Sequence, residues 1–285
     1  MDLGQNRRGV DMGPSALRYS GLAGMFQSLG HEVTDGGNVP VPNPEEGTAT
    51  GFDGRLKAVA AVSRAIYEAG RSAIEAGEFP VFLGGDHSMS IGSVTAAAKD
   101  GPVGVLWIDA HSDFNTPATS PSKNIHGMPV SVLVGDGPES LVNVGFDGAA
   151  VKHEQVVQIG IRNLDQQERV RLTDSGVHVY TMRHIDEEGI AAVVQKALAH
   201  FEGFERVHVS LDMDSLDPSE APGVGTPVRG GLTFREAHLI MELVGDADIA
   251  CSLDIVEVNP ILDDRNRTAE LGVGLAGSLL GQRIL

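Results

Sequence analysis

The chain has 285 residues, of which 41% are hydrophobic and 21% charged, an ordinary globular balance with enough apolar mass to bury the core of one large α/β domain. Its formal net charge of −18 argues against a nucleic-acid partner, because phosphate binding needs a basic surface; the acidity serves solubility or steers a cationic ligand inward. A single cysteine, Cys251, excludes a disulfide within the chain and fits a reducing compartment. Residues Met1–Arg8 carry no apolar signal core. No apolar run approaches the ~20 residues of a membrane helix. A cytoplasmic protein without a membrane span is expected.

In chain order, apolar spacing of i, i+3, i+4 predicts a helix over Ser15–Leu29. Clustered Gly, Pro and Asn then predict a surface loop over Gly36–Gly51. A helix is expected at Leu56–Ala76, a strand at Val81–Leu83, a helix at Ser88–Lys99 and a strand at Val103–Ile108. The stretch Asn115–Asn124 reads as a loop. Strands follow at Val156–Ile161, Val207–Leu211 and Ile249–Val256, with helices at Ile190–Phe201 and Phe234–Val244. Most of these strands are apolar on both faces, as strands covered on both sides are. The alternation predicts a three-layer αβα fold with a mostly parallel sheet. No repeat or composition break divides the chain, so residues 1–285 are expected to form one domain.

Ionisable residues stand where three of the strands end. Gly84-Gly85-Asp86-His87-Ser88 follows Leu83, Asp109-Ala110-His111-Ser112-Asp113 follows Ile108, and Asp212-Met213-Asp214 follows Leu211. Ligands of open α/β sheets bind beyond the carboxyl ends of strands. Residues i and i+2 of an extended chain share a side, so Asp109, His111 and Asp113 would converge, as would Asp212 and Asp214, if the chain stays extended there. Four carboxylates packed together would repel unless cations joined them. Carboxylates with imidazoles and no thiolate suit Mn²⁺, and the surplus of donors points to two ions with shared carboxylates. Alone, an Asp-x-Asp after a strand is more often a turn or helix cap; the three clusters together are not explained that way.

Other patterns are weaker. Asp212-Met213-Asp214 begins like a calcium loop, but Leu216, Asp217 and Gly223 stand at positions that such a loop needs otherwise. His153-Glu154 lacks the second histidine of a zincin. Gly272, Gly274 and Gly277 match a dinucleotide fingerprint too near Leu285 for the βαβ unit it needs, so close packing explains them.

The strings GGDHS (84–88), DAHSDFN (109–115), NIHGMPVS (124–131), SLDMDSLDP (210–218), GVGTPVRGG (223–231) and EVNP (257–260), with DLGQNRRGVDMGPSALR at 2–18, closely resemble the arginase/agmatinase (ureohydrolase) family over essentially the whole chain. The resemblance implies two Mn²⁺ per subunit, one held by His87, Asp109, Asp113 and Asp212 and the other by Asp109, His111, Asp212 and Asp214, with Asp109 and Asp212 bridging. It implies a supporting or capping role for Asp86, a proton shuttle in His126, a guanidinium partner in Glu257 and a hydroxyl near that guanidinium in Thr226. The implied reaction is hydrolysis of L-arginine to L-ornithine and urea by a hydroxide bridging the ions, with Asp113 passing its proton to the departing nitrogen.

Asn115 and Ser122 match the loop that takes the α-carboxylate in arginases, and Asp165 and Glu168 the acids that face the α-amino group. These features and EVNP resemble the arginine-specific branch. Acting on agmatine or another guanidine is the alternative, and a non-catalytic arginine-binding regulator is a reading of another class. Asn163 departs from the acid of vertebrate-type members. The family's apolar first strand, usually just before DLGQ, is absent or truncated where the chain starts at Met1-Asp2. A trimer or hexamer is expected, without assembly through a C-terminal tail.

Overall fold

The computed structural model describes residues 1–43, 47 and 49–283. Its centre is one six-stranded sheet. The strands are β1 (Val81–Leu83), β2 (Gly104–Ile108), β3 (Val156–Ile161), β4 (His178–Thr181), β5 (Val207–Asp212) and β6 (Ala250–Val256). Their order is β1-β6-β5-β2-β3-β4, and every pairing is parallel. The inner strands β2, β3 and β5 are buried along their whole length; β2 is apolar without alternation, as a doubly covered strand can be, whereas β5, Val-His-Val-Ser-Leu-Asp, alternates apolar with polar residues and buries both sets. The edge strand β4, His-Val-Tyr-Thr, is half-buried throughout. It lacks the apolar run that marks the others, and no strand was expected there.

Helices cover both faces. They are α1 (Gly13–Tyr19), α2 (Leu22–Ser28), α3 (Gly51–Glu75), α4 (Ser90–Ala98), α5 (Pro129–Leu133), α6 (Glu139–Val142), α7 (Gln166–Thr173), α8 (Met182–Glu188), α9 (Ile190–Ala199), α10 (Phe234–Asp246) and α11 (Arg267–Leu279). One core cluster joins α1, α2, α9, α10 and α11 to the sheet, and a second lies under α3 and the 125–144 region. α10 starts on a capping box in which Thr233 Oγ1 accepts from Glu236 N and Thr233 N donates to Glu236 Oε2.

Three expectations need correction. The helix expected over Ser15–Leu29 is two helices, because Gly21 adopts φ +86°, a left-handed conformation that ends one helix and starts the next. The helix expected from Ser88 begins as a 3₁₀ turn at His87–Met89 and becomes α-helical only at Ser90. The helix expected from Leu56 starts five residues earlier, at Gly51. Of the loop expected over Gly36–Gly51, residues 44–46 and 48 lie outside the described residues. Gly272, Gly274 and Gly277 lie inside α11, where a Cβ on Gly272 would meet Leu17 Cδ2 at 3.2 Å and one on Gly277 would meet Met25 Sδ at 3.1 Å, so close packing is their function. Among the described residues, no helix is long and apolar enough to cross a membrane.

Candidate metal centre

The sheet order sets β1, β6, β5 and β2 side by side, so their carboxyl ends present His87, Glu257, Asp212 and Asp109 along one rim. The chain does not stay extended beyond these ends. Asp109 Oδ1 accepts the His111 N–H at 2.7 Å, and Asp212 Oδ1 accepts the Asp214 N–H at 2.7 Å, so each first aspartate closes a turn with one oxygen. Asp113 follows at φ +51°, a conformation uncommon outside glycine, and its carbonyl accepts from Val130 N. Convergence therefore comes from turns and a left-handed residue, not from the i, i+2 geometry of a strand. Gly160 lets β3 approach: a Cβ there would stand 3.0 Å from the Asp109 carbonyl oxygen.

Two triads result, His87-Asp109-Asp113 and Asp109-His111-Asp214, each with donor atoms within 4.8 Å of one another. His87 Nδ1 stands 3.1 Å from Asp109 Oδ2, 3.2 Å from Asp113 Oδ2 and 3.1 Å from Asp212 Oδ2. His111 Nδ1 stands 3.5 Å from Asp109 Oδ1 and 3.2 Å from Asp214 Oδ2. Asp109 thus turns one oxygen to each histidine. Asp212 turns Oδ2 to His87 and spends Oδ1 on its own turn.

These residues fit a cation. His87 Nδ1 is buried and has no hydrogen-bond partner, although three carboxylate oxygens surround it at nearly equal distance. Equal spacing without hydrogen-bond geometry describes ligands around a common centre; neighbouring ligands of an octahedral ion with bonds of ~2.1 Å lie about 3 Å apart. The charge balance agrees. Burial opposes ionisation of Asp109, but the facing imidazoles outweigh it and hold this carboxyl below the usual range. Burial, then the Asp109 charge, pushes Asp113 up to about 6. Burial, then the charges of Asp214 and Asp109, pushes Asp212 well up. A cluster in which these carboxylates cannot all ionise unaided is one that divalent cations stabilise.

Above the triads lies a cavity of about 230 Å³. Its lining includes His111, Asp113, Asp212, Asp214 and Thr226 together with Asn115, Ser122, His126, Asp165 and Glu168. Thr226 Oγ1 donates to Asp214 Oδ2 at 2.7 Å. Asp165 caps α7, its Oδ1 accepting from Gln167 N and Glu168 N, while Oδ2 accepts from Asn115 Nδ2 at 2.8 Å. Ser122 Oγ accepts from Asn124 N. Glu168 Oε1 accepts from Phe114 N, yet burial pushes its carboxyl up to about 7.

Glu257 is not part of that lining. It sits behind His126 at φ +63° with 1% of its surface exposed. Its Oε1 accepts from His126 Nδ1 at 2.8 Å and from His87 N at 3.0 Å, and its Oε2 accepts from Gln5 Nε2 at 3.0 Å. Burial lowers the basicity of His126, but the Glu257 charge outweighs it and raises the imidazole to about 9.

Three residues that sequence reasoning left without a role, or with only a default one, organise the rim. Gln5 is one; the only signal for it was its place in the DLGQ string. Asp86 caps the His87–Met89 turn through Ser88 N and accepts Gly4 N at 2.9 Å, so the 2–9 segment is strapped across the strand ends. Arg162 donates to the carbonyls of Asp214, Ser215, Leu216 and Val228, which fixes the turn that carries Asp214.

Comparison with known proteins bears on the whole chain. The model of the family described as "Arginase family" matches residues 1–281. The arginase of Bacillus caldovelox is 47% identical over 290 residues, covering 100% of this chain and 97% of that protein. The arginase of Bacillus subtilis (strain 168) is 48% identical, covering 100% and 96%. Among solved structures, the arginase of Bacillus subtilis superposes with a TM-score of 0.94 at 47% identity, covering 100% of this chain and 97% of that one. The arginase of Bacillus cereus superposes with a TM-score of 0.95 at 46% identity, with the same coverage. Since sequence and fold agree from the strap at residue 2 to helix α11, and the strand-end clusters lie inside the matched region, the chain belongs to the arginase family.

Proposed function

We propose that this protein is an arginase, hydrolysing the guanidinium of L-arginine to L-ornithine and urea, and that His87, Asp109, His111, Asp113, Asp212 and Asp214 would hold two Mn²⁺, with Asp109 and Asp212 as the carboxylates they would share. The observation that carries the reading is the cavity of about 230 Å³ whose lining combines Asp113, His111 and Asp214 of the two His-Asp triads with amide, hydroxyl and further carboxyl groups. That arrangement suits an elongated amino acid with a cationic head. The bound ions supply positive charge that acidifies water and offsets the carboxylates.

The chain's own groups divide the remaining work. Asp113, which lines the cavity beside the reacting end, takes the proton given up by the attacking oxygen and passes it to the departing amine as the C–N bond breaks. His126, held charged by Glu257 through Nδ1, releases its Nε2 proton to solvent and then takes up the proton that water gives up, so that it exports one proton per turnover. Glu257 lies behind the cavity lining with three of its four acceptor positions filled, so a guanidinium N–H would have to reach past His126 to the position left on Oε2, beside Gln5. Thr226 lies against the same end. Asn115 and Ser122 take the α-carboxylate. Glu168, whose carboxyl burial pushes up to about 7, gains an ionic partner in the α-ammonium, with Asp165 beside it. The net charge of −18 favours approach of a cation. The setting proposed is the cytoplasm, in a trimer or hexamer.

Urea release with Mn²⁺ present, compared between L-arginine and agmatine, tests this. L-Arginine is expected to be strongly preferred, because agmatine leaves the carboxylate-binding groups unpartnered. Equal turnover of agmatine would reject the arginine-specific reading, and no urea from either would reject catalysis.

A further inference from the structure

Behind the metal centre, inside the sheet, runs a second polar chain that the chemistry above does not use. His87 turns Nε2 away from the carboxylates and onto Ser210 Oγ at 2.8 Å. Ser210 Oγ lies 3.4 Å from Asp254 Oδ2. The same Oδ2 accepts from Ser90 Oγ at 2.6 Å, Ser93 Oγ at 2.9 Å and His208 Nε2 at 3.0 Å, and His208 Nδ1 meets Ser252 Oγ at 2.7 Å. All of these residues are buried. Asp254 Oδ1 is buried without a partner, so the donors converge on one oxygen. Burying a carboxylate with an imidazole and several hydroxyls, one oxygen unmatched, is a poor way to stabilise a sheet, and an apolar filling would serve as well or better.

The direction of the chain supplies a reason. Asp254 only accepts, and Ser90 already donates to it at 2.6 Å, so the Ser210 hydroxyl can donate to Asp254 Oδ2 or to Ser90 Oγ, each at 3.4 Å, and in either case offers a lone pair to His87. The imidazole then carries its proton on Nε2. Its Nδ1 lone pair faces Asp109, Asp113 and Asp212. The opposite tautomer would aim an N–H into the space that the three carboxylates surround. Trp107, stacked on the ring at 3.9 Å and 8° between planes, fixes its plane but cannot choose between tautomers.

We propose that Ser210 and Asp254 are positioning residues of the metal centre, whose hydrogen-bond chain holds His87 as the Nε2–H tautomer with Nδ1 free to bind the cation. The inference rests on the reading of His87 as a ligand and adds what prepares it. Groups that hold the far nitrogen of a ligating histidine typically change metal affinity by about 10–100-fold when removed.

The test is calorimetric titration of the metal-free full chain with Mn²⁺, together with its melting temperature, for the wild type, Ser210→Ala, Asp254→Asn and Ser93→Ala. Ser210→Ala is expected to weaken the tighter or looser of two binding events about 10–100-fold while leaving the other unchanged. Asp254→Asn can donate to Ser210, reverse the chain and favour the wrong tautomer, so at least as large a loss is expected. Ser93→Ala removes a donor to Asp254 without touching the path to His87, and is expected to lower the melting temperature without changing Mn²⁺ affinity. Wild-type affinity in Ser210→Ala overturns the inference; should that variant not fold, wild-type affinity in Asp254→Asn does so. An equal affinity loss in Ser93→Ala also overturns it, because general loosening would then suffice. A wild-type chain that takes up no Mn²⁺ would sink the metal-centre reading itself, a distinct outcome.

Discussion

Trp107 donates its indole N–H to Asp109 Oδ2 at 2.9 Å, the oxygen that stands 3.1 Å from His87 Nδ1. The indole also stacks on the His87 ring, so one side chain fixes both the shared carboxylate and its imidazole neighbour. Trp107→Phe keeps an aromatic face but leaves Asp109 Oδ2 short of a donor, a loss of about 1–3 kcal/mol. The rise in melting temperature that Mn²⁺ produces is expected to be smaller in this variant than in the wild type. An unchanged Mn²⁺-induced rise would show that the indole N–H plays no part in the site.

Asp109 belongs to both triads, Asp214 to one. Asp109→Ala is therefore expected to lose both bound ions after dialysis, and Asp214→Ala only the one beside His111. Atomic absorption on the purified variants gives the count. Equal metal content in the two would contradict the sharing of Asp109.

Gln5 Nε2 is the donor to Glu257 Oε2. Gln5→Glu keeps the shape and replaces that donor with an acceptor, setting two buried carboxyls about 3 Å apart. A stability loss of about 1–3 kcal/mol is expected, with a clear fall in urea release, whereas surface substitutions stay within about 0.5 kcal/mol. Denaturant melts of the two proteins measure it, and coincident curves would remove Gln5 from the account.

His238 joins α10 to α11, with Nδ1 on Ser278 Oγ at 2.8 Å and Nε2 buried without a partner. Burial lowers its pKa from the ordinary 6.5, opposed by the charge of Glu242 and aided by that of Arg235. The unfolded chain then binds this proton more readily than the folded one. Stability from this residue is full above about pH 6.5 and falls as pH drops below it. In His238→Gln the decline in melting temperature between about pH 7.5 and 5.5 should be shallower; an identical decline would mean that other groups cause it.

The legible parts of the fold and site are those in which one strong local signal decides the matter. The apolar run of β2 and the largely apolar run of β3 read as buried strands, and the ionisable residues at or just beyond the ends of β1, β2 and β5 could be placed at strand ends without knowing the sheet order. The edge strand β4 escaped because a half-buried strand need not be apolar. The break at Gly21 escaped because the apolar spacing runs through it. At the site, the residues were legible but their geometry was not: Asp109 and Asp212 each close a turn with one oxygen, and turns of that kind leave no hydrophobic period to read. Asp165 shows how one residue can satisfy two descriptions, since it caps α7 while bordering the cavity. The contacts of Gln5 with Glu257 and of Ser210 with His87 span 252 and 123 residues, and spacing along a chain carries no trace of such pairs.

On the proposed reading, the six His and Asp side chains hold two ions without which the chain cannot hydrolyse a guanidinium. The most direct test of that reading is to strip the protein with a chelator, add Mn²⁺ in known amounts and record urea release from L-arginine at each step. Release is expected to be absent at the start and to climb until about two ions per chain are bound. Undiminished urea release from the stripped protein, or saturation with no ion bound at these six side chains, would contradict it.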